Sequence, residues 1–234
     1  MKKNMLLLIF SFLSIYSFAQ RMTLNEWNEE SKNNIRLFPK YGYAKKTAGQ
    51  LQADQEFVTA TMKGFSTKRK ASEHLVELGF KYLYSDIKIA MYRFNQAFLL
   101  DSTNVDIYWG FGAVYLTLED YQSAKKQYEA GLHINPKSTH LLTDYGTYFM
   151  SQFALLEDLN KQEAAKELNN ALNCFKKSYA LDPKDQNTLF KFSACYLRKG
   201  DCINARRYYN ECMALGGKPI TVEFTNALNK ACKK

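Results

Sequence analysis

Three histidines and five cysteines are the residues from which metal or nucleophilic chemistry could be built. His74, His133 and His140 form no i, i+4 pair, and none stands beside a cysteine or an acidic cluster at ligand spacing. Cys174, Cys195, Cys202, Cys212 and Cys232 crowd the C-terminal end without a Cys-x-x-Cys pattern. Zinc-binding and thioredoxin-type readings are weak on that ground. Gly216-Gly217 follows a predicted helix and reads as its C-cap rather than a phosphate cradle. No phosphate loop and no nucleophile elbow occurs. The chain is therefore not expected to be an enzyme or to need a cofactor. Binding chemistry remains: 15% of residues are aromatic, with 16 Tyr, 16 Phe and 2 Trp.

Charge is unevenly placed. Between Arg36 and Lys70 eight basic residues, among them Lys45, Lys46, Lys63, Lys68, Arg69 and Lys70, face only Asp54 and Glu56. Such a stretch favours an acidic partner or an anionic polymer, or serves as a solvated face that aids solubility. The 234 residues, 46% apolar and 24% charged, can bury a sizeable core in one or two domains. A mean hydropathy of -0.40 excludes a multi-pass membrane protein.

Residues 1–19 read as an address. Lys2 and Lys3 precede a 14-residue apolar run, Met5 to Phe18, and the small-residue pattern Ser17-Phe18-Ala19 follows before Gln20. This is the pattern of a secretory signal peptide cleaved after Ala19. The run is short of the roughly 18–20 residues needed to span a bilayer, so no membrane insertion is expected after cleavage. Ser17-Phe18-Ala19-Gln20 resembles the signals of Bacteroidetes-type bacteria. Residues 20–234 are expected to be exported to the periplasm or beyond, where nucleic acid is not a partner.

The elements that must position any site are set by a repeat. Ala90 and Ala124 lie 34 residues apart, as do Ala171 and Ala205. Each opens a frame of a small residue, an aromatic four later, a small residue seven later and an aliphatic ten later. The frames are Ala90-Phe94-Ala97-Leu100, Ala124-Tyr128-Gly131-Ile134, Ala171-Phe175-Ser178-Leu181 and Ala205-Tyr209-Cys212-Leu215. That spacing puts the four residues on one helical face. Upstream of each lies a second helix with its own frame, such as Tyr108, Phe111, Gly112 and Tyr115, or Leu142, Tyr145, Gly146 and Phe149. A small residue amid large ones lets two helices approach closely.

Four such units over residues 71–217 resemble the tetratricopeptide repeat (TPR) family. The resemblance implies an all-α, right-handed solenoid of helical hairpins. Residues 218–234 read as a C-terminal capping helix, and residues 20–70 as a basic helical lead-in. Within the lead-in, Thr47 opens a helix from about Ala48 to Lys63 that would shield the first repeat. The third unit carries 13 extra residues, expected to lengthen both its helices by about two turns. The extension either covers one end of the groove, offers a separate contact, or is a tolerated insertion.

Carried over by register, the resemblance places Phe80, Tyr84, Trp109, Leu116, His140, Met150, Phe190 and Arg198 on the concave face, where TPR proteins bind ligands. The basic and asparagine clamp of chaperone-tail-binding members is missing, since Trp109, Ala113, Thr143 and Thr147 hold its positions. The groove thus reads as apolar and aromatic with Trp109 as an exposed anchor, suited to an amphipathic helix or an extended peptide. The lengthened third unit or the lead-in could instead fold over it. Antiparallel repeat geometry further suggests the disulfides Cys174–Cys195 and Cys202–Cys232, against the alternative of five packed thiols. The function expected is an adaptor of the bacterial envelope that binds another protein. The alternative is an immunity protein that neutralises a delivered toxin.

Overall fold

The computed structural model describes residues 22–233; the expected leader lies outside the described residues. Among the described residues there are eleven α-helices and no strand. Eight of them form four antiparallel hairpins. These are α3 (Lys68–Tyr82) with α4 (Ile87–Leu100), α5 (Asp106–Thr117) with α6 (Tyr121–Ile134), α7 (Thr139–Leu156) with α8 (Lys161–Leu181), and α9 (Gln186–Lys199) with α10 (Cys202–Ala214). Ahead of them come α1 (Leu24–Ser31) and α2 (Ala48–Met62); α11 (Val222–Ala231) closes the stack.

Local chemistry sets the helix starts. The second helix of every hairpin begins after an Asp or Asn, namely Asp86, Asp120, Asn160 and Asp201. Each side chain accepts from a backbone N–H of the first turn, a cap worth about 1 kcal/mol. Gly200, at φ 78°, ends α9 in the left-handed conformation that favours glycine.

Packing explains the small positions of the repeat. Phe94 of α4 is fully buried between α3 and α5. A Cβ on either Gly79 or Gly110 would stand 2.3 Å from its Cε1. Helix contact here requires glycine. The first three positions of the α4, α6 and α8 frames are buried; in α10 Ala205 and Cys212 are, while Tyr209 is half-buried. The fourth position behaves differently: Leu100 is buried, whereas Ile134, Leu181 and Leu215 face solvent.

The third hairpin is the long one. Its helices have 18 and 21 residues, against 12 to 15 for the first helices and 13 or 14 for the second helices of the other hairpins. Its tip leaves Leu155 and Leu159 exposed.

The lead-in departs from expectation. The α2 helix has no fully buried residue, because only Leu51, Phe57, Val58 and Met62 among its fifteen residues are large and apolar. Its Phe57, Val58 and Met62 pack half-buried on the first hairpin, and residues 22–43 cover more of it, lying on α4 and burying Trp27 and Leu37. Asn95 of α4 clamps this segment: its Nδ2 donates to the carbonyls of Arg36 and Phe38, and its Oδ1 accepts from the Lys40 N–H. The segment ends in a left-handed turn in which Lys40, Tyr41 and Tyr43 join Gly42 at positive φ. Repeat helix α3 begins at Lys68, so Lys68, Arg69 and Lys70 belong to its first turn and not to the lead-in.

Cys202 at the start of α10 and Cys232 just past α11 are disulfide-bonded, with Cα atoms 5.5 Å apart. Cys174 and Cys195, expected to pair, are both free thiols. The Cys195 thiol donates to the carbonyl of Leu168, six residues before Cys174 on α8. That offset is about 9 Å along the helix axis, too far for a disulfide. Burial pushes the Cys174 thiol up to about 11 and the Cys195 thiol to about 12, which keeps both protonated and inert.

Candidate functional site

The first helices of the first three hairpins each contribute one ring to a ladder. Phe80 of α3 packs on Trp109 of α5 with centroids 3.9 Å apart. Trp109 in turn stacks on His140 of α7 at 4.4 Å and 23°. Two rings therefore pack on the indole. Its Nε1–H donates to Asp144 Oδ2 at 2.6 Å, and Lys191 of α9 donates to Asp144 Oδ1 at the same distance. One carboxylate thus joins α5, α7 and α9, with its own side chain 18% exposed. A charge that shielded is tolerable only when paired and hydrogen-bonded.

Above this floor lies a trough of about 480 Å³ lined by Tyr84, Leu116, Thr117, Thr147, Asp185 and Asn187 together with the ladder. Asp106 reaches His140 Nδ1 at 3.4 Å. That hydrogen bond raises the imidazole pKa above its ordinary value; burial opposes it, and the charges of Asp106, Asp185 and Asp144 add to the rise. Asp185 is already engaged as the cap of α9. Three carboxylates therefore face one lysine and one titrating histidine.

Of the eight expected groove residues, Phe80, Tyr84, Trp109, Leu116 and His140 line this trough. Three do not. Met150 packs into the core of the third and fourth hairpins. Phe190 meets Phe224 of α11 edge to face at 5.0 Å, because the closing helix docks on its side of α9. Arg198 pairs with Glu157 at the end of α7, at 3.7 Å. Thr143 is buried in a hydroxyl cluster with Ser178 and Thr188. The expected apolar groove with an exposed Trp109 is corrected to a polar and aromatic trough in which Trp109 is half-buried. Asp144 and Lys191 were missed. Asp144 stands four residues after His140, which the register assigned to the groove, and Lys191 four after Asn187 of the trough lining; the i+4 spacing from His140 was the available signal for Asp144.

The basic residues do not form one free patch. Lys46 pairs with Asp54 and lies over the Tyr41 ring. Arg69 binds Asp101 at 2.8 Å and Thr103. Lys45, Lys63, Lys68 and Lys70 are exposed. Outside the six, Lys40 donates to Tyr108 and Arg36 covers the Tyr92 ring.

Residues 105–138 match the family model "Tetratricopeptide repeat", which spans the second hairpin and its approach to the third. No curated protein matches the chain. Among solved structures, a thermophilic TPR protein of Thermus thermophilus is similar over 68% of this chain and 80% of its own, with 15% identity and a TM-score of 0.58. The structure reported for pilF of Pseudomonas aeruginosa is similar over 70% of each chain, with 17% identity and a TM-score of 0.54. The likeness is one of fold: an all-α tetratricopeptide solenoid. Among the described residues, no helix is long and apolar enough to cross a membrane.

Proposed function

We propose that this solenoid is an exported, non-catalytic interaction scaffold of a bacterial envelope that holds an extended segment of a partner protein in its trough. Protein binding is the general use of the fold. The observation that carries the reading for this chain is the single floor made by Phe80, Trp109, His140, Asp144 and Lys191, residues of four successive first helices. Its rings and its carboxylate are locked by contacts among themselves, so little ordering is left for the partner to impose.

The floor selects the segment. Tyr84 and Leu116 supply apolar contact at one side, while Asp144 and Asp185 on the lining outnumber Lys191, and Asp106 pairs with His140. A peptide with one Lys or Arg flanked by apolar residues suits that balance better than the acidic partner suggested by the basic lead-in. Export is supported by the 14-residue apolar run behind Lys2 and Lys3, and by a disulfide of a kind that persists in oxidising compartments.

The test is capture from a native envelope extract, followed by titration of the captured partner's binding segment. Two variants, Trp109→Ala and Asp144→Asn, are compared with Lys63→Ala, which lies outside the trough. The expected result is one stoichiometric partner, lost in both trough variants and kept in Lys63→Ala. With Trp27 buried, the Trp109 indole N–H resonance reports occupancy directly. Retention of the partner by both folded trough variants overturns the reading. A partner whose toxicity the protein abolishes at nanomolar strength identifies an inhibitor in place of an adaptor.

A further inference from the structure

A second cavity lies beneath α2 and shares no residue with the trough. It measures about 250 Å³, and Ile35, Phe57 and Leu99 form its apolar walls. The charged groups that face it are Arg36, Lys46 and Asp54. Lys46 and Asp54 pair with one another. The Arg36 guanidinium rests 3.7 Å above the centre of the Tyr92 ring and has no carboxylate partner among the described residues. The balance in the cavity is one positive charge, and it sits on the residue whose planar fork matches a carboxylate.

Two further features single out this place. The roof helix α2 has no fully buried residue, and its Phe57, half-buried against the core, also borders the cavity. Helices are normally held by burial of an apolar face, and here that burial is incomplete. The lining also includes Tyr41, held at φ 58° in the left-handed turn. Non-glycine residues pay about 1–2 kcal/mol for that conformation, and such backbone gathers at ligand clamps. Asn95, through the Lys40 N–H, holds the turn in place.

We propose that the cavity under α2 binds a compact organic carboxylate, with its head on the Arg36 fork and its apolar body against Ile35, Phe57 and Leu99. A cavity of roughly 150 Å³ accepts benzene, so the space here accommodates a ring or short aliphatic chain together with its acid group. The ligand completes the packing under α2 and neutralises the one unpaired cation. Binding therefore adds contact between α2 and the first hairpin.

The probes are 3-phenylpropionate and its neutral amide, titrated into the protein without its leader. Calorimetry gives affinity, and the methyl resonances of Ile35 and Leu99 give location. The acid is expected to bind saturably in the millimolar range or tighter, about tenfold better than the amide, with shifts at both methyls. Arg36→Gln is expected to bind acid and amide alike, and Arg36→Lys to keep only part of the preference. Should Arg36→Gln not fold, the comparison of acid with amide on the wild type decides alone. Equal binding of acid and amide by the wild type, no saturable binding of the acid, or shifts confined to other methyls overturns the proposal.

Discussion

Replacing Asn95 with leucine tests how the lead-in is held. Asn95 is fully buried, an uncommon setting for an amide unless its groups are all satisfied. Its three hydrogen bonds, 2.7, 2.8 and 2.9 Å long, all go to backbone groups of Lys40, Arg36 and Phe38. Leucine is close in size and makes none of them. At about 0.5–1.5 kcal/mol net for each bond, the loss is about 1.5–4.5 kcal/mol. The stability of the docked segment sets a ceiling, because once residues 22–43 lift away their backbone groups regain water. The expected outcome is therefore local undocking, with the repeats intact. Trp27 is buried under this segment and Trp109 lies in the trough, so a Trp109→Phe background leaves one fluorescent reporter of the lead-in. Asn95→Leu should red-shift Trp27 emission and speed amide exchange over residues 22–43, with the helical signal of the hairpins retained. Unchanged Trp27 emission together with a stability loss under about 0.5 kcal/mol refutes the reasoning, since the clamp would then contribute no more than a surface contact.

Three other outcomes follow from the packing and the charges. Gly110→Ala places a methyl 2.3 Å from Phe94 Cε1; overpacking at about 1–3 kcal/mol outweighs the helix-propensity gain of about 1 kcal/mol, so the urea midpoint should fall, and a rise contradicts the wedge. Cys202→Ser with Cys232→Ser opens a link across 30 residues, worth about 3–4 kcal/mol by chain entropy; α11 should become the first proteolysed element, and unchanged protease resistance counts against the link. Because the His140 pKa is raised in the fold, its stabilising increment is complete below the unfolded value of about 6.5. It is lost as pH rises through the folded value. With the side chain 54% exposed, the increment is at most about 1 kcal/mol. His140→Gln should flatten the difference in urea midpoint between mildly acid and mildly alkaline buffer, and an equal slope in both proteins removes His140 as its source.

The hairpins were legible because each repeat position answers to a local steric need. Gly79 recurs as Gly112 and Gly146 since an aromatic ring of the paired helix occupies the space of a Cβ, Phe94 against Gly79 and Tyr128 against Gly112. The lead-in was less legible because its stability is not local. Nothing around Asn95 distinguishes it from a solvated polar residue of α4; it becomes a clamp only when residues 55 to 59 positions away fold onto it. The same holds for the trough floor. Asp144 meets the Trp109 N–H and the Lys191 ammonium across 35 and 47 residues, so a reading by register found the rings and not the carboxylate that fixes them. Cys195 shows the finer limit: the facing helices were correct, yet an offset of under two turns separates a disulfide from a pair of inert thiols.

Charge counting has a comparable limit, and it changes what the basic stretch can do. Eight cations lie between Arg36 and Lys70, but Lys46 and Arg69 are paired with carboxylates, Lys40 is bonded to Tyr108, and Arg36 is stacked on Tyr92. Three of the eight are therefore bonded to other side chains, and Arg36, exposed, rests on a ring without an acidic partner among the described residues. The exposed remainder, Lys45, Lys63, Lys68 and Lys70, is spread over a loop, the end of α2 and the first turn of α3. A field so dispersed steers weakly and is screened at physiological salt, where the Debye length is about 8 Å. Any strong preference for an anion must then arise where a cation is held rigidly and left without a partner. In the lead-in the cation nearest to that condition is Arg36, stacked on Tyr92 at the cavity wall beneath α2, while the trough, with Asp144 and Asp185 on its lining, favours the opposite charge. The two sites can be occupied together without competing for one ligand.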